Sequence, residues 1–145
     1  MTTQGFILEP QGGRVFLAGR GRVKVEPGTA DFTVFENTIL TNPTGVPLHV
    51  HHRDDEAFYV LEGELEFVVG NNSGRCHSGC FVMVPRNVPH RFANHGPEPA
   101  RMLIIGTPRI QALVEEIAPL LDINPPDIAT ALAAFARYES EILRP

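Results

Sequence analysis

Cysteine is nearly absent: the 145-residue chain has two. Cys76 and Cys80 stand four positions apart with a glycine between them, which is neither a zinc-knuckle spacing nor a redox Cys-x-x-Cys, so packed or half-exposed free thiols are expected. Cations are also scarce. With Lys+Arg at 12 against Asp+Glu at 17 the formal charge is -5, and no basic stripe offers the clustered Lys and Arg that a phosphate backbone requires, so no nucleic-acid partner is expected. No apolar run is long enough to span a bilayer, so no membrane partner is expected. The start, Met1-Thr2-Thr3-Gln4-Gly5, lacks the basic segment and apolar run of a secretory signal, and a cytoplasmic protein is the expectation. Heptad-spaced Ala/Glu/Lys runs, repeats, low-complexity tracts and linkers are missing too, so residues 1–145 are expected to form one domain with one core.

What is present is a series of short apolar stretches broken by turn residues. Val23-Lys24-Val25-Glu26 alternates apolar with charged, Pro27-Gly28-Thr29 punctuates, and Phe32 to Leu40 resumes as a β-branched and aromatic run. These predict strands joined by a turn. Ala57 to Leu61 ends at Glu62-Gly63, and Glu64 to Val69 alternates until Gly70-Asn71-Asn72-Ser73-Gly74, predicting two antiparallel neighbours. Phe81 to Val84, His90 to Asn94 and Met102 to Gly106 complete a pattern whose turn spacing fits a β-sandwich or barrel over about 15–106.

Past Thr107-Pro108 the period changes. Ile110, Leu113, Val114, Ile117 and Leu121 fall at helical spacing, with Thr107 as cap and Pro108 at the first helical position. Pro119 should kink or end that helix. A second helix is expected after Asn124-Pro125-Pro126-Asp127, capped by Asn124, with Ile128, Leu132, Phe135 and Ile142 as its apolar stripe. The tail over about 108–143 therefore reads as two helices.

The chemistry gathers at His49-Val50-His51-His52-Arg53-Asp54-Asp55-Glu56 and at His90. In a strand, alternate side chains share a face, so His49 and His51 project together while His52 projects the other way, to solvent or to a supporting role behind the site. Glu56 and His90 can complete a metal shell. Imidazole nitrogens with one carboxylate suit a divalent transition ion: Fe, Mn, Ni, Zn, Co or Cu. Four protein ligands on an ion that prefers six leave positions for a substrate or dioxygen. Asp54 or Asp55 is a possible outer partner that orients an imidazole. Phe58, Phe67, Met83, Phe92 and Met102 are expected to face the interior. Tyr59, on the opposite strand face from Glu56, suits packing or a dimer surface. His77 and His95, beside turn glycines, are expected to be exposed.

These residues resemble the two motifs of the cupin superfamily. His49, His51, Glu56 and Gly63 match the first in type and spacing, and Gly79, Pro85, His90 and Asn94 match the second. The chain departs at two glycines: Pro43 stands six positions before the first histidine, with Gly45 nearby, and Asn87 replaces the other. Asn tolerates left-handed backbone better than most residues, so the turn at Pro85–Pro89 is expected to survive.

The resemblance implies a mainly β fold, the cupin double-stranded β-helix or jelly-roll barrel, with His49, His51, Glu56 and His90 holding the metal inside it. From Pro47-Leu48-His49 through Leu61-Glu62-Gly63-Glu64 to a tail ending Ala136-Arg137-Tyr138, the chain is similar to bacterial single-domain cupins labelled quercetin dioxygenase-like. The expectation is a metal-dependent oxygenase acting on a small aromatic or enolisable organic compound, with Glu56 as ligand and as the base that removes a substrate proton. A non-redox isomerase, lyase or polyketide cyclase is the alternative, and a non-catalytic small-molecule binding or sensor protein is a third. The resemblance also implies a homodimer, in which the apolar Phe6-Ile7-Leu8 segment takes part.

Overall fold

Alternation of inward apolar and outward polar side chains, interrupted by glycine, proline and asparagine, divides the first two-thirds of the chain into short strands. The computed structural model describes residues 4–42 and 45–144. Pro43, at the cupin glycine position, lies outside the described residues. In chain order the strands are β1 (Arg14–Phe16), β2 (Gly21–Val25), β3 (Thr33–Ile39), β4 (Leu48–His51), β5 (Glu56–Glu62), β6 (Glu64–Val69), β7 (Asn72–His77), β8 (Phe81–Val84), β9 (His90–Ala93) and β10 (Ala100–Gly106). Two helices, α1 (Pro108–Leu121) and α2 (Ile128–Arg137), and a last strand, β11 (Ser140–Arg144), follow.

The strands form a six-stranded sheet, β1-β2-β3-β10-β5-β8, and a five-stranded sheet, β11-β4-β9-β6-β7, with antiparallel neighbours throughout. The two sheets make a jelly roll, mainly β with two C-terminal helices. Val23, Phe35, Phe58, Val60, Leu65, Phe67, Val82, Val84, Met102 and Ile104 point inward and form the barrel core.

Several expectations are corrected. β5 and β6 are consecutive but do not pair: β5 lies between β10 and β8, and β6 between β9 and β7. The chain crosses from sheet to sheet at Gly63, whose φ is +80° and where an added Cβ would stand 2.8 Å from Ala100 Cα. Asn72-Ser73-Gly74, expected to belong to a turn, instead opens strand β7 on Glu64–Val69, because pairing satisfies its backbone groups whatever its side chains are. Met83 faces out at 46 % exposure while Val82 and Val84 fill the core. Asn87 does take the left-handed turn, at φ 68°.

The C-terminal segment departs furthest. Thr107 caps α1 as expected, accepting a hydrogen bond from the Ile110 amide, and Pro108 opens the helix. The helix continues past Pro119 to Leu121, since a proline near the last turn removes only one late hydrogen bond. Asp127, not Asn124, caps α2, accepting from the Thr130 amide. Leu132 is 41 % exposed, and the buried face of α2 is Ala131, Ala134 and Phe135. Ile142 belongs to no helix: it lies in β11, which pairs antiparallel with β4 in the register Ser140↔His51 and Ile142↔His49. Leu113, Ala131, Ala134, Phe135 and Ile142 make a second apolar cluster that fastens the segment.

The Thr107 hydroxyl also donates to Asp54 Oδ1 at 2.8 Å, and Asp54 is 5 % exposed. Thr107→Ala should cost about 2 kcal/mol, a lost cap plus a buried carboxylate deprived of a donor. Thr107→Ser should recover most of that in a denaturant titration.

Candidate metal centre

Strand parity and cross-strand register build the site. His49 and His51 lie two apart on β4 and share its inward face, and His49 sits directly opposite His90 on β9. Glu56 opens β5 in the facing sheet and points inward with Phe58 and Val60. All four are buried, from 1 % exposed at His90 to 9 % at His49. One ligand nitrogen from each of His49, His51 and His90 lies within 4.8 Å of the others. The Glu56 carboxylate completes the ring, Oε2 standing 3.5 Å from His51 Nε2 and Oε1 3.8 Å from His90 Nε2.

Each imidazole is held by its other nitrogen. His49 Nδ1 bonds to the Pro47 carbonyl at 2.8 Å, and His90 Nδ1 to the Val88 carbonyl at 3.0 Å. A carbonyl only accepts, so both rings carry the proton on Nδ1 and leave an Nε2 lone pair free. His51 Nδ1 meets Ser140 Oγ at 2.8 Å. That hydroxyl donates onward to the Tyr138 carbonyl, so it accepts from His51 and sets the same tautomer.

The donor set fits a divalent transition ion. His90 Nε2 is fully buried with no hydrogen-bond partner, an arrangement that costs energy unless something in the centre accepts its lone pair. Burial drives the proton off His49, whose pKa is pushed down to about 3, with His90 and His51 adding to the effect. Burial also pushes the Glu56 carboxyl up, but a proton on the His51 or His90 imidazole beside it outweighs burial and holds the carboxyl below the usual carboxylate range. A buried carboxylate facing converging nitrogens is a place for a cation.

His52 turns outward, as strand parity predicts, to Asn87 Oδ1 at 3.0 Å and Glu141 at 3.3 Å. Asp54 and Asp55 do not orient the imidazoles. Asp54 serves Thr107 and pairs with Arg109 Nε at 3.4 Å, and Asp55 binds the Arg86 amide and guanidinium. Asn94, matched to the second motif, bonds the Ile39 and Glu98 carbonyls and shapes the turn after β9. Cys76 and Cys80 are free and packed against the barrel core. His77 and His95 are exposed.

Sequence reasoning missed two residues at this centre. Ser140 holds His51, and the Phe135 ring lies edge-on to His49 at 5.6 Å and stacked on His51 at 6.4 Å. Phe135 was legible as a buried helix residue but not as a neighbour of histidines more than eighty positions away. Ser140 carries no signal in a segment whose periodicity predicts a helix.

Residues 21–106, more than half of the chain, match the cupin domain family model. The chain belongs to the cupin family. Among curated proteins this cupin is 30% identical over 90 residues to quercetin 2,3-dioxygenase of Bacillus subtilis, covering 60% of this chain and 27% of that one. It is 29% identical over 102 residues to polyketide synthase CurC of Streptomyces cyaneus, covering 67% and 61%. The chain spans less than two thirds of the length of each of these relatives. Among solved structures, the polyketide cyclase RemF of Streptomyces resistomycificus superposes with TM-score 0.53 at 25% identity, over 61% of this chain and 63% of that one. A protein of Thermus thermophilus superposes with TM-score 0.56 at 21% identity, over 70% and 96%, which speaks to the fold. The family match ends at Gly106, so α1, α2 and β11, with Phe135 and Ser140, lie beyond it. No described helix is long and apolar enough to cross a membrane.

Removing the hydroxyl behind His51 should weaken the centre without dismantling it. Ser140→Ala should lower zinc or cobalt affinity about tenfold, read by competition with a chromophoric chelator, while the far-ultraviolet circular dichroism is unchanged.

Proposed function

We propose that this cupin is a metal-dependent oxygenase acting on a small aromatic or enolisable organic compound, with His49, His51, His90 and Glu56 as the ligands. The observation that carries the reading is the convergence of a free His90 Nε2, two further imidazoles and a carboxylate in the buried interior. The similarity to a quercetin 2,3-dioxygenase supports it. A divalent ion held there, Fe, Mn, Ni, Zn, Co or Cu, supplies Lewis acidity toward a substrate oxygen and, for the redox-active members, electron transfer to dioxygen. The chain's own residues do the rest. The carbonyls of Pro47 and Val88 and the Ser140 hydroxyl fix the three rings. Phe58 and Phe135 keep bulk water from the imidazoles, each ring packing against at least one of them.

Glu56 is the proton acceptor for an enolisable substrate. A carboxylate held that far below its usual range is a weak base where it stands, so it acts as a ligand first, and takes up a proton only after parting from His51 and His90. The same proton transfer begins a redox-neutral cyclisation, and the likenesses to a polyketide synthase and a polyketide cyclase favour that as the second reading.

Elemental analysis of protein purified without added metal, followed by oxygen uptake with flavonols and enolisable diketones, tests the proposal. Oxygen consumed in step with substrate is expected. Equal turnover under strict anaerobiosis overturns the oxygenase in favour of the cyclase, and tight ligand binding with no turnover on any ion points to a binding protein. Glu56→Gln should retain metal and lose turnover by at least about a hundredfold.

We further propose a homodimer in which a second copy covers the outer face of the six-stranded sheet. Tyr59 and Phe81 are cross-strand partners, as are Ala57 and Met83. Tyr59, Phe81 and Met83 are 40–59 % exposed, and β8 is an edge strand with apolar outward residues and no charge to guard it. Sedimentation should give a dimer that Phe81→Glu weakens by at least about tenfold. A monomeric wild type at micromolar concentration overturns this.

A further inference from the structure

The ligands are closed in from two directions by unlike material. Phe58 lies two residues from Glu56 on β5, and Phe92 two residues from His90 on β9, so parity places both rings inside the barrel alongside the ligands. With Phe67 they form an interlocked trio, ring centroids 5.2–5.9 Å apart. Phe58 also approaches His90 at 6.4 Å. These rings belong to the barrel core, built from strands of both sheets. The other wall is α2. Phe135, 2 % exposed, contacts His49 and His51, and it is held by a separate apolar cluster in which two of the five buried members are alanines.

An organic ligand of an ion at this site needs room beside imidazoles that are at most 9 % exposed. Opening the barrel trio would break the main core, at several kcal/mol for each large side chain displaced. Moving α2 disturbs only the smaller cluster and the segment around it, the kind of low-stability unit from which gates are drawn.

We propose that Phe135 is the specificity-determining residue of this site: its ring occupies the place a bulky ligand takes, and α2 carries it aside to admit that ligand. The assignment rests on the metal-centre reading above. Small inorganic ligands fit beside the ring, whereas planar, ring-sized ones must displace it. Because the residue lies beyond the family match, this selection is a property of this chain rather than of the cupin barrel.

The test uses full-length protein loaded with Co(II), whose visible absorption reports ligands of the ion. Azide is the small probe and nitrocatechol the planar one. On Phe135→Ala, nitrocatechol affinity should rise about tenfold relative to azide affinity. Phe135→Leu should fall between Phe135→Ala and wild type, and Phe135→Trp should bind nitrocatechol more weakly than wild type. Hydrogen exchange of the metal-loaded wild type, independent of any probe ligand, should show α2 amides opening well ahead of those in β5 and β9. Nitrocatechol binding indifferent to residue 135, azide shifted as much as nitrocatechol, or α2 as protected as the barrel strands would each overturn the assignment while leaving the metal centre intact. Failure of the folded wild type to take up Co(II) would instead overturn the metal centre, and this assignment with it.

Discussion

A buried carboxylate facing three imidazoles is the constraint on which the rest of this molecule depends. Glu56 is 5 % exposed and His90 1 %, where an ion out of water costs several kcal/mol unless a partner offsets it. The offset comes through geometry. The two sheets must face each other closely enough for β5 to present its carboxylate to β4 and β9, and the jelly roll does so by sending β5 and β6 into opposite sheets across Gly63. The centre is thus a consequence of sheet crossing as much as of ligand identity. Each imidazole then needs its outer nitrogen engaged, and the loops before β4 and β9 supply carbonyls at fixed reach.

Much of this was legible because strand parity is arithmetic. Two histidines two apart share a face, and a histidine one step on does not, which separates His49 and His51 from His52 by sequence alone. The barrel, too, announced itself in turn residues, and Asn87 kept its turn because the left-handed conformation is open to asparagine. The segment after Arg137 departs from its helical periodicity for a physical reason. Ile142 falls at helical spacing from Phe135, and periodicity cannot show that the chain turns at Tyr138–Glu139 and returns as a strand, since what makes β11 a strand is the free edge of β4. Strand pairing is a long-range interaction, and neither Ser140 nor Phe135 carries a local mark of the histidines it meets.

The same reasoning explains why the partners of the imidazoles do not come from the adjacent sequence. Asp54 and Asp55 are next to the histidines in sequence, but the turn between β4 and β5 carries them toward Thr107, Arg109 and Arg86. Proximity along the chain counts for little in a sheet, where the nearest neighbours of a side chain are on adjacent strands. The hydroxyl that supports His51 comes from 89 positions away and stands directly opposite it in register.

The division of the chain into a barrel that matches a family and a segment that does not is also a division of labour. The barrel's motifs supply the four ligand candidates, and these are compatible with oxygenation, cyclisation or plain binding alike. What distinguishes one such centre from another must come from groups that touch the remaining space around the ion. In this chain α2 and β11 provide such groups, because β11 covers the edge of the histidine strand and α2 lays Phe135 on the rings of His49 and His51. A segment held by a small apolar cluster can change residue by residue without disturbing the barrel core, whereas Phe58 or Phe92 cannot. Specificity is therefore most readily altered in the smaller of the two apolar clusters, over the two histidines of β4.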